Sequence, residues 1–169
     1  ERELTLYLGK LEVRLMHLGA GHTKGDAIVW IPSQGICFSG DLVEFNAGVY
    51  TGDAHLAQWP AALDALQALA PQQLVPGRGP ALKTAQDSSA AIGYTRRSGQ
   101  TLYRCPQGGG GQGMSLREVY AQTRQTMDPE FGKVFIYEHC LPFDVSRAYD
   151  EASGIAQPRV WTAERDREM

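Results

Sequence analysis

Two runs near the start of the chain alternate apolar and polar residues and are separated by a Gly-Lys pair. The runs cover residues 3–8 and 11–18, and the pair is Gly9-Lys10. Alternation with a period of two is typical of strands that have one solvated face, and a glycine suits the tight turn between them. The pattern therefore predicts a β-hairpin whose second strand carries four residues on one face: Leu11, Val13, Leu15 and His17.

A second hairpin is predicted around Gly35, because the preceding run, residues 27–32, is rich in β-branched and aromatic residues. A glycine-rich loop that carries His22 comes before this hairpin, and Asp41 follows it. Neighbouring strands of about five or six residues bring such loops to one edge of a sheet. Metal sites are commonly built in this way, so His22 and Asp41 are candidate metal ligands.

The same loop also matches a turn that binds dinucleotide phosphates, through Gly19, Gly21 and Gly25. That motif needs a helix directly after it, because the helix N-terminus holds the phosphates. A predicted strand follows instead, which argues against phosphate binding.

The pattern changes to a helical one at Trp59–Leu69, where leucines recur at helical spacing after Pro60. A strand-like Leu74-Val75-Pro76 leads into residues 76–80, which we predict to be a loop because Pro and Gly exclude a helix or a central strand. Three further helical segments are predicted. The first covers residues 88–103, and the second begins after an N-cap at Ser115 and ends at Met127, before a break at 128–132. The third runs from Phe135 to Ala152.

The element pattern predicts an α/β core at residues 1–82 and a helical extension at residues 83–169. The extension contains four consecutive glycines within 107–113, a composition typical of a flexible linker. The chain begins without methionine and enters strand-like sequence at once, which we interpret as an internal start of a longer protein.

The composition narrows the class of protein without identifying a chemistry. Hydrophobic residues make up 43% and charged residues 21% of the 169 residues, which is typical of a globular protein, and the net charge of −3 disfavours nucleic acid and anionic membranes as partners. No segment is apolar enough to span a bilayer. The three cysteines are widely spaced, so we expect reduced thiols in a cytoplasmic protein.

Four short motifs, in order, carry a family resemblance. They are His22-Thr23-Lys24-Gly25-Asp26, Trp30-Ile31-Pro32, Phe38-Ser39-Gly40-Asp41-Leu42, and Val75-Pro76-Gly77-Arg78-Gly79-Pro80. Together they resemble the C-terminal half of a metallo-β-lactamase-fold hydrolase, over roughly residues 4–80.

The resemblance implies half of an αββα sandwich with a metal site at one edge. It makes His22 the third ligand of the first metal and Asp41 the carboxylate that bridges two metals, with Thr23 and Asp26 fixing the loop behind them. The cofactor would be zinc, or alternatively iron or manganese, as one or two ions.

Two features depart from the family pattern. The HxHxDH motif of the N-terminal half is absent, and the only histidines of the chain are His17, His22, His55 and His139. Arg78 stands where the histidine of a Pro-Gly-His-Gly loop is expected, and a guanidinium does not bind metals.

Two interpretations of Arg78 remain open. Either the site holds one metal and Arg78 replaces the second one, pairing with Asp41 or with an anionic substrate, or His55 or His139 holds the second metal. The first is favoured because Arg clamps carboxylates and phosphates well. Arg78, His55 and His139 are therefore candidate substrate-binding residues, with Asp41 and Arg78 as candidate catalytic residues.

The sequence thus predicts a metal-dependent hydrolase that uses activated water on an ester, thioester or related bond of a small molecule. The 169 residues alone should be inactive, since His22 and Asp41 fall short of three ligands. Their sheet face should lack its cover, the N-terminal half, and should favour self-association or a homodimer. The alternative is a non-catalytic module with the same fold that binds an acidic ligand through Arg78, or a partner through its helices.

Overall fold

The computed structural model describes residues 2–107 and 113–168, and one five-stranded sheet organises them. The strands lie in the order of the chain: β1 (Glu3–Leu8), β2 (Leu11–Met16), β3 (Ile28–Ile31), β4 (Ile36–Glu44) and β5 (Gln73–Arg78). From β1 to β4 each strand runs antiparallel to the next, and β5 runs parallel to β4. The two predicted hairpins, β1–β2 and β3–β4, are confirmed.

Five helices and one 3₁₀ turn complete the part of the chain that the structure describes. They are the turn Pro32–Gln34 and the helices α1 (Trp59–Ala68), α2 (Ala85–Gln107), α3 (Leu116–Phe131), α4 (Tyr137–Ala152) and α5 (Ala163–Glu168). Helix α1 makes the crossover that the parallel pair β4–β5 requires. Helix α2 contacts α1, α3, α4 and β4, so one hydrophobic core joins the sheet to the C-terminal helices.

The predicted capping box of α3 is present. The Glu118 backbone N–H donates to Ser115 Oγ at 3.4 Å, and the Ser115 backbone N–H donates to Glu118 Oε2 at 2.8 Å. These bonds satisfy donors that a helix start leaves without partners.

The predicted end of α3 at Met127 is wrong, because the helix continues through Asp128-Pro129 to Phe131. Proline lacks an N–H and weakens a helix. Here the side chain of Phe131 is buried, with its ring 5.4 Å from that of Tyr94, and this packing keeps the last turn helical.

The predicted loop at 76–80 is also wrong over its first three residues, which belong to β5. Pro76 is tolerated because β5 lies at the edge of the sheet, and the pairing with β4 shifts register on both sides of Gly40. The glycine-rich linker lies mostly outside the described residues.

One sheet face carries a continuous apolar row. The register aligns Leu4 with Leu15, Val29, Phe38 and Val75 across all five strands. Leu6 and Leu8 point to the same side as Leu4, and Leu4, Leu6, Leu8 and Phe38 are all more than 40% exposed. This surface, defined by Leu4, Leu6, Leu8, Leu15, Val29, Phe38 and Val75, is here called the open sheet face.

The opposite sheet face belongs to the core. Trp30, Cys37 and Leu74 alternate with residues of the open sheet face and are buried among the helices. Only one face of the sheet is therefore covered by helices of the described chain, as expected for half of a sandwich.

Within residues 2–107 and 113–168, none of the helices has the length and apolarity that crossing a bilayer requires.

The open sheet face predicts the association state of these 169 residues. We expect the purified chain to self-associate, because several exposed apolar side chains form one patch. A Leu6→Lys substitution should shift the population toward monomer, since it places a charge between the exposed Leu4 and Leu8 of the patch. Size-exclusion chromatography with light scattering measures the effect.

Tyr7→Lys provides the matched control, because Tyr7 is exposed on the same strand but its side chain points to the other side. The control should leave association unchanged. A monomeric unsubstituted chain would contradict the assignment of this surface as an uncovered half-sandwich face.

Candidate metal centre

Strand β4 brings two carboxylates to the same place. In a regular strand, Asp41 and Glu44 would point to opposite faces, since they lie three positions apart. The register shifts between Phe38 and Gly40 and again between Gly40 and Glu44, and these irregularities change the alternation. As a result, one oxygen of each carboxylate and one ring nitrogen of His22 lie within 4.8 Å of one another.

The loop that carries His22 is fixed by Asp26. The Thr23 backbone N–H donates to both carboxylate oxygens of Asp26 at 3.0 Å, and the Thr23 hydroxyl donates to Oδ1 at 2.6 Å. His17 Nδ1 bonds the Asp26 carbonyl oxygen at 2.7 Å, which ties the loop to the end of β2. The structure thus brings Thr23 and Asp26 together directly behind His22.

The His22 ring presents one nitrogen without a partner. Nε2 is buried, lies 4.0 Å from Asp41 Oδ2, and has no hydrogen bond among the described residues. The rings of Tyr50 and Trp59 hold the imidazole, with centroids 5.9 and 6.1 Å away. A buried polar atom without a partner is costly, so this nitrogen is positioned for a group that it would bind.

Glu44 is the most deeply buried charged group at the site, with its side chain 0% exposed. Its Oε1 accepts a hydrogen bond from the Arg78 guanidinium, and its Oε2 accepts one from the Tyr50 backbone N–H at 2.9 Å. Thr95 of α2 holds the Glu44 backbone, donating to its carbonyl at 2.7 Å. Arg78 therefore pairs with Glu44 rather than with Asp41.

Sequence analysis did not identify Glu44. The available signal was its position after the apolar run Leu42-Val43, because a carboxylate that continues a buried strand needs a cationic or hydrogen-bonding partner. Arg78, the last residue of β5, is that partner.

Gly77 allows β5 to approach Asp41 closely. A Cβ at this position would overlap Asp41 Oδ1 and would come within 2.7 Å of the Asp41 backbone nitrogen. Only glycine leaves the carboxylate in its present place.

His55 and His139 lie outside the group formed by His22, Asp41 and Glu44. His55 is buried; its backbone N–H donates to the Gly21 carbonyl at 2.8 Å, and it lines a cavity of about 200 Å³. His139 is exposed on α4, with its ring 5.8 Å from that of Phe143.

Helix α4 is bonded to the loop between β4 and α1. Asp144 accepts from the Thr51 backbone N–H at 2.6 Å and from its hydroxyl at 3.0 Å, and complete burial raises the pKa of Asp144 to about 8. Arg147 Nε donates to the Ala54 carbonyl at 2.7 Å. Glu151 accepts from the backbone N–H of Leu56 at 2.7 Å. Three turns of one helix thereby hold the backbone next to the site.

No family model matches this chain. Two curated relatives do, both described as metallo-beta-lactamase type 2. The protein from Bacteroides fragilis is 33% identical over 81 residues, which cover 45% of this chain and 32% of the relative, and that from Pseudomonas aeruginosa is 33% identical over 58 residues, covering 34% and 24%. The chain thus spans only about a third, or less, of the length of these relatives.

Solved structures extend the similarity. A metallo-beta-lactamase from Pontibacter korlensis superposes with a TM-score of 0.51 at 28% identity, over 58% of this chain and 46% of that one. The DIM-1 metallo-beta-lactamase gives a TM-score of 0.50 at 31% identity, over 60% and 46%. The comparisons therefore place this chain, over roughly half of its length, in the metallo-β-lactamase-fold superfamily.

Proposed function

We propose that the protein is a metal-dependent hydrolase that cleaves an ester, thioester or related bond of a small molecule, with His22 and Asp41 as metal ligands. The relatives support the coarse assignment, since they are metallo-beta-lactamases. The observation that carries the proposal here is the buried Nε2 of His22, which has no partner among the described residues and lies beside two carboxylates.

The donor set fits a divalent cation such as zinc. An imidazole nitrogen and a carboxylate oxygen are ordinary zinc ligands, at about 2.0–2.2 Å each. His22 Nε2 and Asp41 Oδ2, 4.0 Å apart, can therefore reach one ion with small side-chain movements. Iron or manganese would accept the same ligands.

Electrostatics favour one ion over two. Asp41 and Glu44 contribute two negative charges and Arg78 one positive charge, and Glu44 is already bonded to Arg78 and to the Tyr50 backbone. One divalent cation leaves a small net charge, whereas a second would add to the repulsion from Arg78. We therefore assign Glu44 as the partner of Arg78, and Arg78 as the occupant of the second metal position.

The reaction would be an addition of water to a carbonyl carbon, followed by departure of the alcohol or thiol, which takes up a proton. A bound metal supplies Lewis acidity and lowers the pKa of water. In this chain, His22 holds its position through Tyr50 and Trp59, and Asp41 is available to accept a proton or a hydrogen bond from the attacking water.

The remaining ligands would come from the complementary half of the sandwich, packed on the open sheet face. A catalytic zinc usually has three protein ligands, and His22 with Asp41 gives two. We accordingly expect the isolated 169 residues to lack activity.

The alternative, a non-catalytic module that binds an acidic ligand through Arg78, has weaker support. The Arg78 guanidinium is bonded to a fully buried carboxylate, so its charge is compensated within the protein. Metal content decides between the two functions.

The first prediction from this proposed function concerns His22. In the protein that contains both halves of the sandwich, we expect about one equivalent of metal by elemental analysis. His22→Ala should remove most of it, while Lys24→Ala, on the exposed part of the same loop, should retain it. A folded, metal-free protein would instead favour the binding module.

A second prediction concerns Arg78. Arg78→His replaces a cation with an imidazole that binds metal, and it should raise the metal content from about one to about two equivalents. Arg78→Gln serves as the control, because it removes the charge without offering a good ligand. An unchanged content in Arg78→His would contradict the assignment of Arg78 to the second metal position.

A third prediction concerns the close approach at Gly77. Gly77→Ala should destabilise the protein by about 1–3 kcal/mol, because the added methyl group overlaps Asp41. Metal affinity should fall as well, since the carboxylate must move.

Gly25→Ala is the matched substitution, as a Cβ there would meet nothing within 4 Å. Its effect on stability should stay within about 0.5 kcal/mol. Denaturant unfolding and metal titration of both variants test the pair, and equal effects would refute the contact as the cause.

A further inference from the structure

Aromatic side chains from three separate segments contact one another in a row that begins at the His22 ring. The ring of Tyr50, in the loop after β4, lies 5.9 Å from the His22 ring and 5.8 Å from that of Phe143 on α4. The ring of Trp161, in the C-terminal segment, lies 4.7 Å from that of Phe143. Tyr50, Phe143 and Trp161 are here called the aromatic row, with His139 at its edge.

The aromatic row is not part of the hydrophobic core. All three members are only half-buried and His139 is exposed, whereas Trp30 and Trp59 are buried in the core. Large aromatic groups that remain partly accessible next to a candidate reaction centre are typical of ligand-binding surfaces.

The first member of the row is held in place before any ligand arrives. The Tyr50 backbone N–H is bonded to Glu44, and the adjacent Thr51 is bonded twice to Asp144. A Cβ at residue 52 would overlap the Tyr50 hydroxyl, so Gly52 makes room for the ring. Rigid aromatic surfaces lose little entropy when they bind a ligand.

The charges around the row disfavour an anion. The cation of Arg78 is compensated by Glu44. The Asp53 and Asp144 carboxylates lie close enough to the Tyr50 hydroxyl to act on it as negative charges. An anionic ring would be repelled by Asp53, while a neutral one would gain stacking contacts.

From this arrangement we infer that the aromatic row binds a neutral aromatic group of the substrate next to the metal centre. The inference rests on the proposed hydrolase function, and it adds the substrate class. Binding of the aromatic group itself needs no metal, so it can be measured apart from hydrolysis.

The test measures the binding of three probes to the metal-free protein by equilibrium dialysis: 2-naphthol, its saturated analogue decahydro-2-naphthol, and the anion 2-naphthoate. 2-Naphthol should bind about 3- to 10-fold more tightly than the saturated alcohol, which corresponds to the usual gain from aromatic contacts. It should also bind more tightly than 2-naphthoate.

Two substitutions locate the binding. Phe143→Leu and Trp161→Leu keep apolar bulk but remove the rings, so each should abolish the preference for 2-naphthol over its saturated analogue. Phe135→Leu is the control, because Phe135 is exposed and lies outside the row. It should keep the preference.

Three outcomes would overturn the inference. One is equal binding of the aromatic and saturated alcohols, and another is tighter binding of 2-naphthoate. The third is a lower melting temperature for Phe143→Leu and Trp161→Leu with an unchanged preference, which would make the row a structural attachment of the C-terminal segment. None of these depends on metal content, so failure here is distinguishable from failure of the hydrolase proposal.

Discussion

The burial of Glu44 is the constraint on which the site depends. A carboxylate removed from water costs several kcal/mol unless charges and hydrogen bonds replace its hydration. Arg78 of β5 and the Tyr50 backbone provide that replacement, and Thr95 of α2 fixes the backbone. One acidic residue, Glu44, thereby fixes β5, the loop after β4 and helix α2 relative to each other. The same loop then packs Tyr50 against His22, so the position of this candidate ligand depends on how the charge of Glu44 is satisfied.

The ion pair between Arg78 and Glu44 also changes how the arginine of the Pro-Gly-Arg-Gly segment is interpreted. Taken alone, the replacement of a metal-binding histidine suggests a lost function or a clamp for anions. The structure shows a compensated cation whose partner, Glu44, lies three residues after Asp41 on the neighbouring strand. Arg78 and Glu44 form one ion pair, so the effect of substituting either residue includes the effect of leaving the other without its partner.

Much of the fold could be predicted from local patterns. Alternation predicted the first hairpin, a run of β-branched and aromatic residues predicted the second, and Ser115 with Glu118 predicted the start of α3. These signals are each confined to a few adjacent residues. His22 and Asp41 were predicted as candidate ligands from their motifs, and the structure places His22 Nε2 4.0 Å from Asp41 Oδ2. Glu44 was missed because its proximity to Asp41 depends on register shifts in β4, which have no clear sequence signal. Two further features were missed because the tertiary structure outweighs the local sequence preference against proline. Packing of Phe131 continues α3 past Pro129, and the position at the sheet edge lets β5 include Pro76.

The bonds between α4 and the loop after β4 have a consequence for the order of assembly. They connect residues that are 93 to 95 positions apart in the chain. Contacts between residues so far apart in the sequence form late in folding, because the conformational entropy of the long intervening segment must be lost first. During synthesis, the sheet and the His22 loop emerge well before α4 does. The candidate ligands His22 and Asp41 are therefore synthesised early, but their final alignment requires the last third of the chain. An intermediate still bound to the ribosome would hold these two side chains only loosely.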